Sequence, residues 1–148
     1  MTKKEKQLLL ADICARLPYG VKVCARFNTG NRYTVDVTAI SADRDYIQIR
    51  QNDLHPYTGS SVEDIRPYLR SMSSMTEEER EEVEELIKSH KPSPDGIINN
   101  KGMDNLLFSV SSTSGYLTDW LNKKMFDYRG LIPMGLALEA LEGMYKTE

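Results

Sequence analysis

The residues whose types could support chemistry are few and scattered. The chain has two histidines, His55 in a predicted loop and His90 just past a predicted helix, and nucleophilic catalysis usually needs such a base beside a serine, threonine or cysteine. We interpret both as surface histidines. No H-E-x-x-H motif or paired Cys/His spacing indicates zinc, and no glycine-rich loop has the signature of a phosphate site. The sequence therefore predicts no catalytic residue, no metal site and no cofactor.

An enzyme whose site is assembled from scattered polar residues stays an alternative. It would need a deep pocket, because convergent polar groups in a cleft are what an active site requires. Two groups could be collected in one: His55, Asp64 and Arg66, or Asp119, Asp127 and Arg129.

Tyrosines and arginines are interleaved through the first half of the chain. They are Tyr33, Tyr46, Tyr57 and Tyr68, with Arg26, Arg32, Arg44, Arg50, Arg66 and Arg70. Both residue types serve as anchors in protein interfaces, and both also bind single-stranded nucleic acid on small barrels. We predict a protein-binding surface at Tyr33, Tyr46, Arg32 and Arg50, with single-stranded nucleic-acid binding as the alternative. For the set of tyrosines and arginines as a whole, the composition favours a purely structural role, with half-buried tyrosines and salt-bridged arginines.

Charge and composition place the chain among ordinary globular proteins. It has 148 residues, of which 40% are hydrophobic and 28% charged, and its net charge is −3. Residues 1–70 carry 11 Lys+Arg against 8 Asp+Glu, whereas residues 71–148 carry 8 against 14, and neither balance by itself implies nucleic acid or a membrane. No apolar run approaches the roughly 18 residues of a membrane span. We predict a cytoplasmic protein in which Cys14 and Cys24 are reduced core thiols.

The elements that must position these residues begin with a helix over residues 2–17. Thr2 and Glu5 have the spacing of a capping box, and an apolar face follows with Leu9, Leu10, Ile13, Cys14 and Leu17. The hydrophobic period then changes to two, which is typical of strands with one buried face. It predicts strands at Val21–Phe27, Arg32–Ile40 and Tyr46–Arg50 and a closing strand at Ser61–Arg66. Such strands suit a small antiparallel sheet or an SH3-like barrel.

The second half of the chain is predicted to be helical and irregular. Thr76 and Glu79 form another candidate capping box, and a glutamate-rich helix follows to Ser89, with its carboxylates interpreted as a solvated face. The patterns further predict a strand at Asn105–Val110, a helix at Gly115–Met125 and a short strand at Leu136–Ala140. The fold class is therefore α+β. Residues 1–70 and 76–148 form two lobes that pack together, or one compact domain.

Three stretches of the sequence carry a resemblance. They are LPYGVKV at Leu17–Val23, IRPYLRSMSSMTEEE at Ile65–Glu79 and DWLNKKMFDYRGLIPMGLALEALEGMY at Asp119–Tyr145. Together they resemble an uncharacterised family of small proteins of gut Bacteroides genomes, found in prophage-like or mobile-element regions. The resemblance implies a bacterial, cytoplasmic accessory protein. It brings no activity and no site residue.

Overall fold

Three helices and six strands make up the described part of the molecule. The computed structural model describes residues 1–26, 30–41, 46–50, 58–89 and 115–145, with the side chains of 41, 46–50 and 58–59 outside that description. The helices are α1 (Lys3–Arg16), α2 (Glu77–Ser89) and α3 (Gly115–Lys123). The strands are β1 (Lys22–Arg26), β2 (Arg32–Ser41), β3 (Tyr46–Arg50), β4 (Thr58–Ser61), β5 (Ile65–Leu69) and β6 (Leu138–Glu139). The α+β class predicted from the sequence is confirmed.

Helix α1 begins at the predicted capping box. The Thr2 amide donates to Glu5 Oε2 at 2.6 Å, and the Glu5 amide donates to Thr2 Oγ1 at 3.2 Å. The helix ends at a 3₁₀ turn over Leu17–Tyr19, because Pro18 cannot continue the hydrogen-bond pattern of an α-helix. Gly20 follows with a φ of 77°, a left-handed conformation that glycine adopts without strain.

The buried stripe of α1 differs from the predicted apolar face. Leu9 and Ile13 are fully buried as expected, but Cys14 is exposed, and the other fully buried positions are Asp12 and Arg16. The two charged residues are four apart, so they meet on one side of the helix. Their mutual ion pair allows charged groups to occupy positions that hydrophobic side chains usually take.

The sheet is open in the part of the chain that the structure describes. Its strand order is β4-β3-β2-β1-β5-β6, with antiparallel pairing from β4 to β5 and a short parallel pairing of β6 on β5. The antiparallel sheet is therefore confirmed, whereas the SH3-like barrel is not, since β4 and β6 are edges and no ladder joins them. A β-bulge between Val37 and Ala39 interrupts the pairing of β2 with β3.

The strand predicted at Ser61–Arg66 is displaced in the structure. β4 occupies Thr58–Ser61, a 3₁₀ turn covers Val62–Asp64, and β5 runs on through Pro67 to Leu69. Proline is tolerated inside β5 because successive strand residues direct their backbone groups to opposite sides of the strand. The Leu69 carbonyl accepts a hydrogen bond from the Ala140 amide on the β6 side, so the backbone nitrogen of Pro67, two residues earlier, faces that side too. Pairing with β6 begins only at Tyr68, so the missing N–H of Pro67 is not needed there.

The second half of the chain packs on the first through three adjoining clusters of buried side chains. The first cluster unites α1 and the sheet with Met125, the second joins α2 to α3 and Phe126, and the third joins Leu69 to Leu131 and Leu136. The predicted Thr76 capping box forms, with the Thr76 amide 3.0 Å from Glu79 Oε2. The predicted strand at Asn105–Val110 lies outside the described residues.

Candidate functional site

The face of the sheet that points away from the core carries the polar side chains of three neighbouring strands. Alternation along β1 buries Val23 and Ala25 in the first core cluster, and places Lys22, Cys24 and Arg26 on the opposite side. The register aligns Cys24 with both Thr34 of β2 and Arg66 of β5. We call this surface the outer face. It consists of Lys22, Cys24, Arg26, Arg32, Thr34, Asp36, Arg66 and Tyr68.

One end of the outer face holds two arginines directly opposite each other. Arg26 pairs in register with Arg32 at the last rung of the β1–β2 hairpin, and both residues are exposed. Side chains in directly opposed positions have Cβ atoms about 5 Å apart, and like charges there destabilise an antiparallel pair. Neither guanidinium has an acidic partner among the side chains that the structure describes. Among the side chains that the structure describes, the hairpin end is therefore a concentrated positive charge without a counter-charge.

Of the other cations of the outer face, one is paired with an acid. Lys22 Nζ lies 2.7 Å from Asp36 Oδ1, its cross-strand neighbour. Arg66 donates to the carbonyl oxygens of Gly135 at 2.9 Å and Ile65 at 2.7 Å, which hold the second half of the chain against β5 but leave the Arg66 charge in place. The Lys22 end is therefore neutralised, and the positive charge of the described face lies on Arg26, Arg32 and Arg66.

Beside Arg66, the middle of the outer face carries uncharged side chains. Cys24 is only 9% exposed, and the Thr34 hydroxyl lies 3.4 Å from the Tyr68 hydroxyl. Cys24, Thr34 and Tyr68 form an uncharged polar surface between the Lys22–Asp36 ion pair and the arginine pair. A partner seated on this face would contact hydroxyl groups at its centre and guanidinium groups at one end.

Of the four residues predicted as a binding surface, the structure describes the side chains of Tyr33 and Arg32. Tyr33 and Arg32 are adjacent in β2, so they point to opposite faces; Tyr33 lies at the end of the core face, 43% exposed, with Asn31 Nδ2 3.4 Å from its hydroxyl. Tyr46 pairs with Ser41 at the far end of β2, and Arg50 pairs with Asp36. The side chains of Tyr46 and Arg50 lie outside the described part of the structure, and their role stays a prediction.

Sequence reasoning missed Arg26 as a member of the surface. Arg26 and Arg32 flank the turn cluster of residues 28–31. Because turn length fixes the register of a hairpin, the sequence alone did not show that the two arginines face each other. Composition alone ranks Arg26 with every other arginine of the first half.

A second cluster of charges lies inside the molecule. Asp12 accepts two hydrogen bonds from Arg16, at 2.8 Å and 2.9 Å, and Arg16 Nη2 also donates to the Phe126 carbonyl at 2.8 Å. Arg129 Nε lies 3.7 Å from the same Asp12 carboxylate, and the Arg16 guanidinium lies 5.5 Å from the Tyr128 ring centroid. Because Asp12 and Arg16 are fully buried, this cluster fixes α1 to the second half of the chain and offers no surface to a partner.

The residues considered for an assembled catalytic site have separate structural partners. Asp127 accepts from the Leu131 and Ile132 amides, each at 2.8 Å, and so caps a turn. Arg129 faces Asp12, and loss of solvent contact together with the nearby Asp119 carboxylate raises the pKa of the Tyr19 phenol. His55 lies outside the described residues.

Within the described ranges, no group of three or more histidine, cysteine or carboxylate side chains is arranged to hold a metal ion. No helix in that part of the chain has the length and apolar character needed to cross a membrane.

Comparison of the chain with known proteins gives no match to a protein-family model, to a curated protein or to a solved structure.

Proposed function

We propose that this protein is a non-enzymatic interaction module that binds an acidic segment of a protein partner on the outer face of its sheet. Arg26 and Arg32 would anchor the partner through bidentate hydrogen bonds to carboxylates, for which the planar guanidinium fork is suited. Thr34 would contact the partner backbone beside them.

The observation that carries the proposal is the direct opposition of two exposed arginines, Arg26 and Arg32, without an acidic partner among the described side chains. A directly opposed pair of like charges costs the fold up to about 1 kcal/mol, and neither side chain contributes to the core. A carboxylate bound between the two guanidinium groups would turn this repulsion into a favourable interaction. The arginine pair thus has a use in recognition that it lacks in folding.

The charge distribution favours an acidic protein segment over single-stranded nucleic acid. A nucleic-acid strand needs a continuous positive track with aromatic platforms for its bases. On the outer face as described, the Lys22–Asp36 ion pair interrupts the positive charge, and Tyr68 is the one aromatic side chain that could act as a platform. A compact pair of arginines instead matches the small anchors that dominate protein interfaces.

The proposal is tested by photo-crosslinking from the outer face. A photoreactive amino acid placed at Thr34 lies at the outward-facing cross-strand pair next to Arg26 and Arg32. The same group at Glu81, which is exposed on α2, is the matched control. We expect a discrete adduct in a bacterial lysate from the Thr34 probe and none from the Glu81 probe. The adduct should disappear when Arg26 and Arg32 are both changed to alanine, and its persistence in that variant would refute the proposal.

Single-stranded nucleic acid is the alternative ligand, and the same arginine pair supports it. Fluorescence anisotropy with a labelled 20-nucleotide strand separates the two, because phosphate contacts make binding fall steeply with salt. Binding that is lost at moderate salt and in the Arg26→Ala/Arg32→Ala variant would favour this alternative over a protein partner.

We also propose a cytoplasmic location and an accessory role in a bacterial prophage or mobile element. The resemblance to small proteins of gut Bacteroides genomes supports this context, and the free thiol of exposed Cys14 suits a reducing compartment. Cell fractionation of the native host, followed by immunodetection of the protein, tests the location.

A further inference from the structure

A tight turn at residues 132–135, shortly before β6, exposes apolar side chains to solvent. The turn is closed by the Gly135 amide, which donates to the Ile132 carbonyl at 3.0 Å. Its two middle residues, Pro133 and Met134, are both exposed, Met134 by 48%. We call these two residues the apolar corner.

The apolar corner is held in place by contacts at the base of the turn. Leu131 and Leu136, which flank the turn, are buried in the third core cluster, and the Leu136 amide donates to the Leu131 carbonyl at 2.9 Å. The Asp127 carboxylate accepts from the Leu131 and Ile132 amides at 2.8 Å each. A surface that is ordered in advance loses little conformational freedom when a partner binds to it.

The turn lies beside the arginine end of the outer face. Arg66, a member of that face, donates through Nε to the Gly135 carbonyl at 2.9 Å. Because β6 runs parallel to β5, the residues that precede β6 lie toward the beginning of β5, where Ile65 pairs with Ala25. Arg26 is the next residue of β1. Since β5 lies between β1 and the turn, the backbone at Gly135 is about two strand spacings, on the order of 10 Å, from the backbone at Arg26.

Folding accounts for Pro133 and Gly135 in the turn but not for Met134. Proline is favoured at the second position of a β-turn and glycine at the fourth, and Gly135 has a φ of 72°, which glycine adopts without strain. The third position imposes no need for an apolar side chain, and short polar residues are common in turns. Methionine and arginine, in contrast, are both enriched in protein interfaces relative to the remaining surface.

We propose, on the basis of the proposed function, that the acidic partner segment also carries a large apolar side chain that packs on the apolar corner. The segment crosses β1 and β5, with a carboxylate at Arg26 and Arg32 and the apolar residue at Met134. An extended chain advances about 3.3 Å per residue. The acidic and the apolar residue of the partner are therefore separated by about three or four positions.

The charge between the two anchors also restricts which segments fit. Arg66 lies on β5, between the arginine pair and the apolar corner, and keeps its charge because its N–H groups donate to carbonyl oxygens. It disfavours lysine or arginine in the middle of the segment. Apolar contacts at the edge of an interface also exclude water from the polar anchors beside them. The apolar corner thus selects among acidic segments, which the arginine pair alone does not do.

The test measures the Thr34 crosslink in variants of the full chain. Met134→Gln replaces the apolar side chain by a polar one of similar length, and we expect it to lower the adduct yield at least about five-fold, because an apolar contact is lost. The matched control is Leu141→Gln, at a residue 66% exposed and beyond β6, which should leave the yield unchanged. A photoreactive group placed at Met134 should capture the same protein. Mass spectrometry should locate the two crosslinked sites of that protein within about five residues of each other.

The outcomes separate this inference from the proposed function. If Met134→Gln leaves the Thr34 adduct unchanged, or the Met134 probe does not capture the same protein, the apolar corner is not part of the surface, although the arginine pair still binds. If the Thr34 probe gives no adduct, or one that survives loss of both arginines, both proposals are refuted. Met134→Leu keeps an apolar side chain and should retain the natural adduct yield. Far-UV circular dichroism of each variant verifies that the fold is intact.

Discussion

The buried ion pair of α1 gives the sharpest stability prediction. Asp12→Asn keeps the shape of the side chain but removes its charge. The fully buried Arg16 guanidinium then has no counter-ion among the side chains that the structure describes. Breaking a buried pair by neutralising one partner typically costs about 3–5 kcal/mol, because the remaining charge is uncompensated. We expect the free energy of unfolding to fall by that amount.

The geometry of the pair supports the same magnitude. Two charge-assisted hydrogen bonds join Asp12 to Arg16, at 2.8 Å and 2.9 Å, and each such bond contributes about 1.5–3 kcal/mol. With a urea dependence of about 2 kcal/mol per molar, typical of small proteins, the unfolding midpoint should fall by about 1.5–2.5 M. Urea titrations followed by far-UV circular dichroism and by Trp120 fluorescence measure this shift.

A surface pair provides the matched control. Asp36→Asn removes the carboxylate that faces Lys22 at 2.7 Å, but both side chains are substantially exposed, so we expect a loss below about 1 kcal/mol. The double change Asp12→Leu/Arg16→Met should cost less than Asp12→Asn alone, since no unpaired charge remains. The reasoning fails if Asp12→Asn shifts the midpoint no more than Asp36→Asn does.

Three further outcomes are expected. Burial alone would raise the pKa of Glu79, but hydrogen bonds from the Arg70 guanidinium and the Thr76 amide make the net shift downward. The ionised Glu79 therefore stabilises the folded protein above its unfolded pKa of about 4.3, and this stabilisation is lost as the pH falls through the lower folded pKa. Glu79→Gln should flatten the decline of the urea midpoint below pH 5, and an unchanged decline would contradict this. Thr76→Ala should lower the free energy of unfolding by about 1 kcal/mol through loss of the cap, measured by urea titration. Arg26→Glu should raise the free energy of unfolding by about 0.2–1 kcal/mol by creating an attractive pair with Arg32, and it should abolish the Thr34 crosslink. A stabilised variant that still crosslinks would show that the arginine pair is not needed for binding.

Features that depend on near neighbours in the chain were predictable. Both capping boxes formed as their spacing indicates, because each needs only residues three positions apart. The alternation of β1 and β2 was equally local. The sequence could not show that the sheet stays open, because closure depends on how the first and last strands meet in space.

Features set by distant partners were misjudged. The apolar face assigned to α1 included Cys14 and omitted Asp12 and Arg16, since the partner that completes the Arg16 site is the carbonyl of Phe126, far away in the chain. Glu79 was grouped with the solvated glutamates of α2, yet it is 4% exposed and accepts two hydrogen bonds from Arg70 at 2.7 Å and 2.9 Å. In each case an ion pair allows a charged side chain to be buried.

Strand β1 joins the proposed binding surface to the rest of the fold. Its inward residues fix it in the core, so its register on β2 cannot slip without exposing them. The two ends of its outer side differ: Arg26 lies opposite another arginine, whereas Lys22 is neutralised by Asp36 and its backbone amide donates to Tyr145. Under the proposed function, the arginine end of β1 would bind the acidic partner, while the Lys22 end holds the strand to the rest of the molecule.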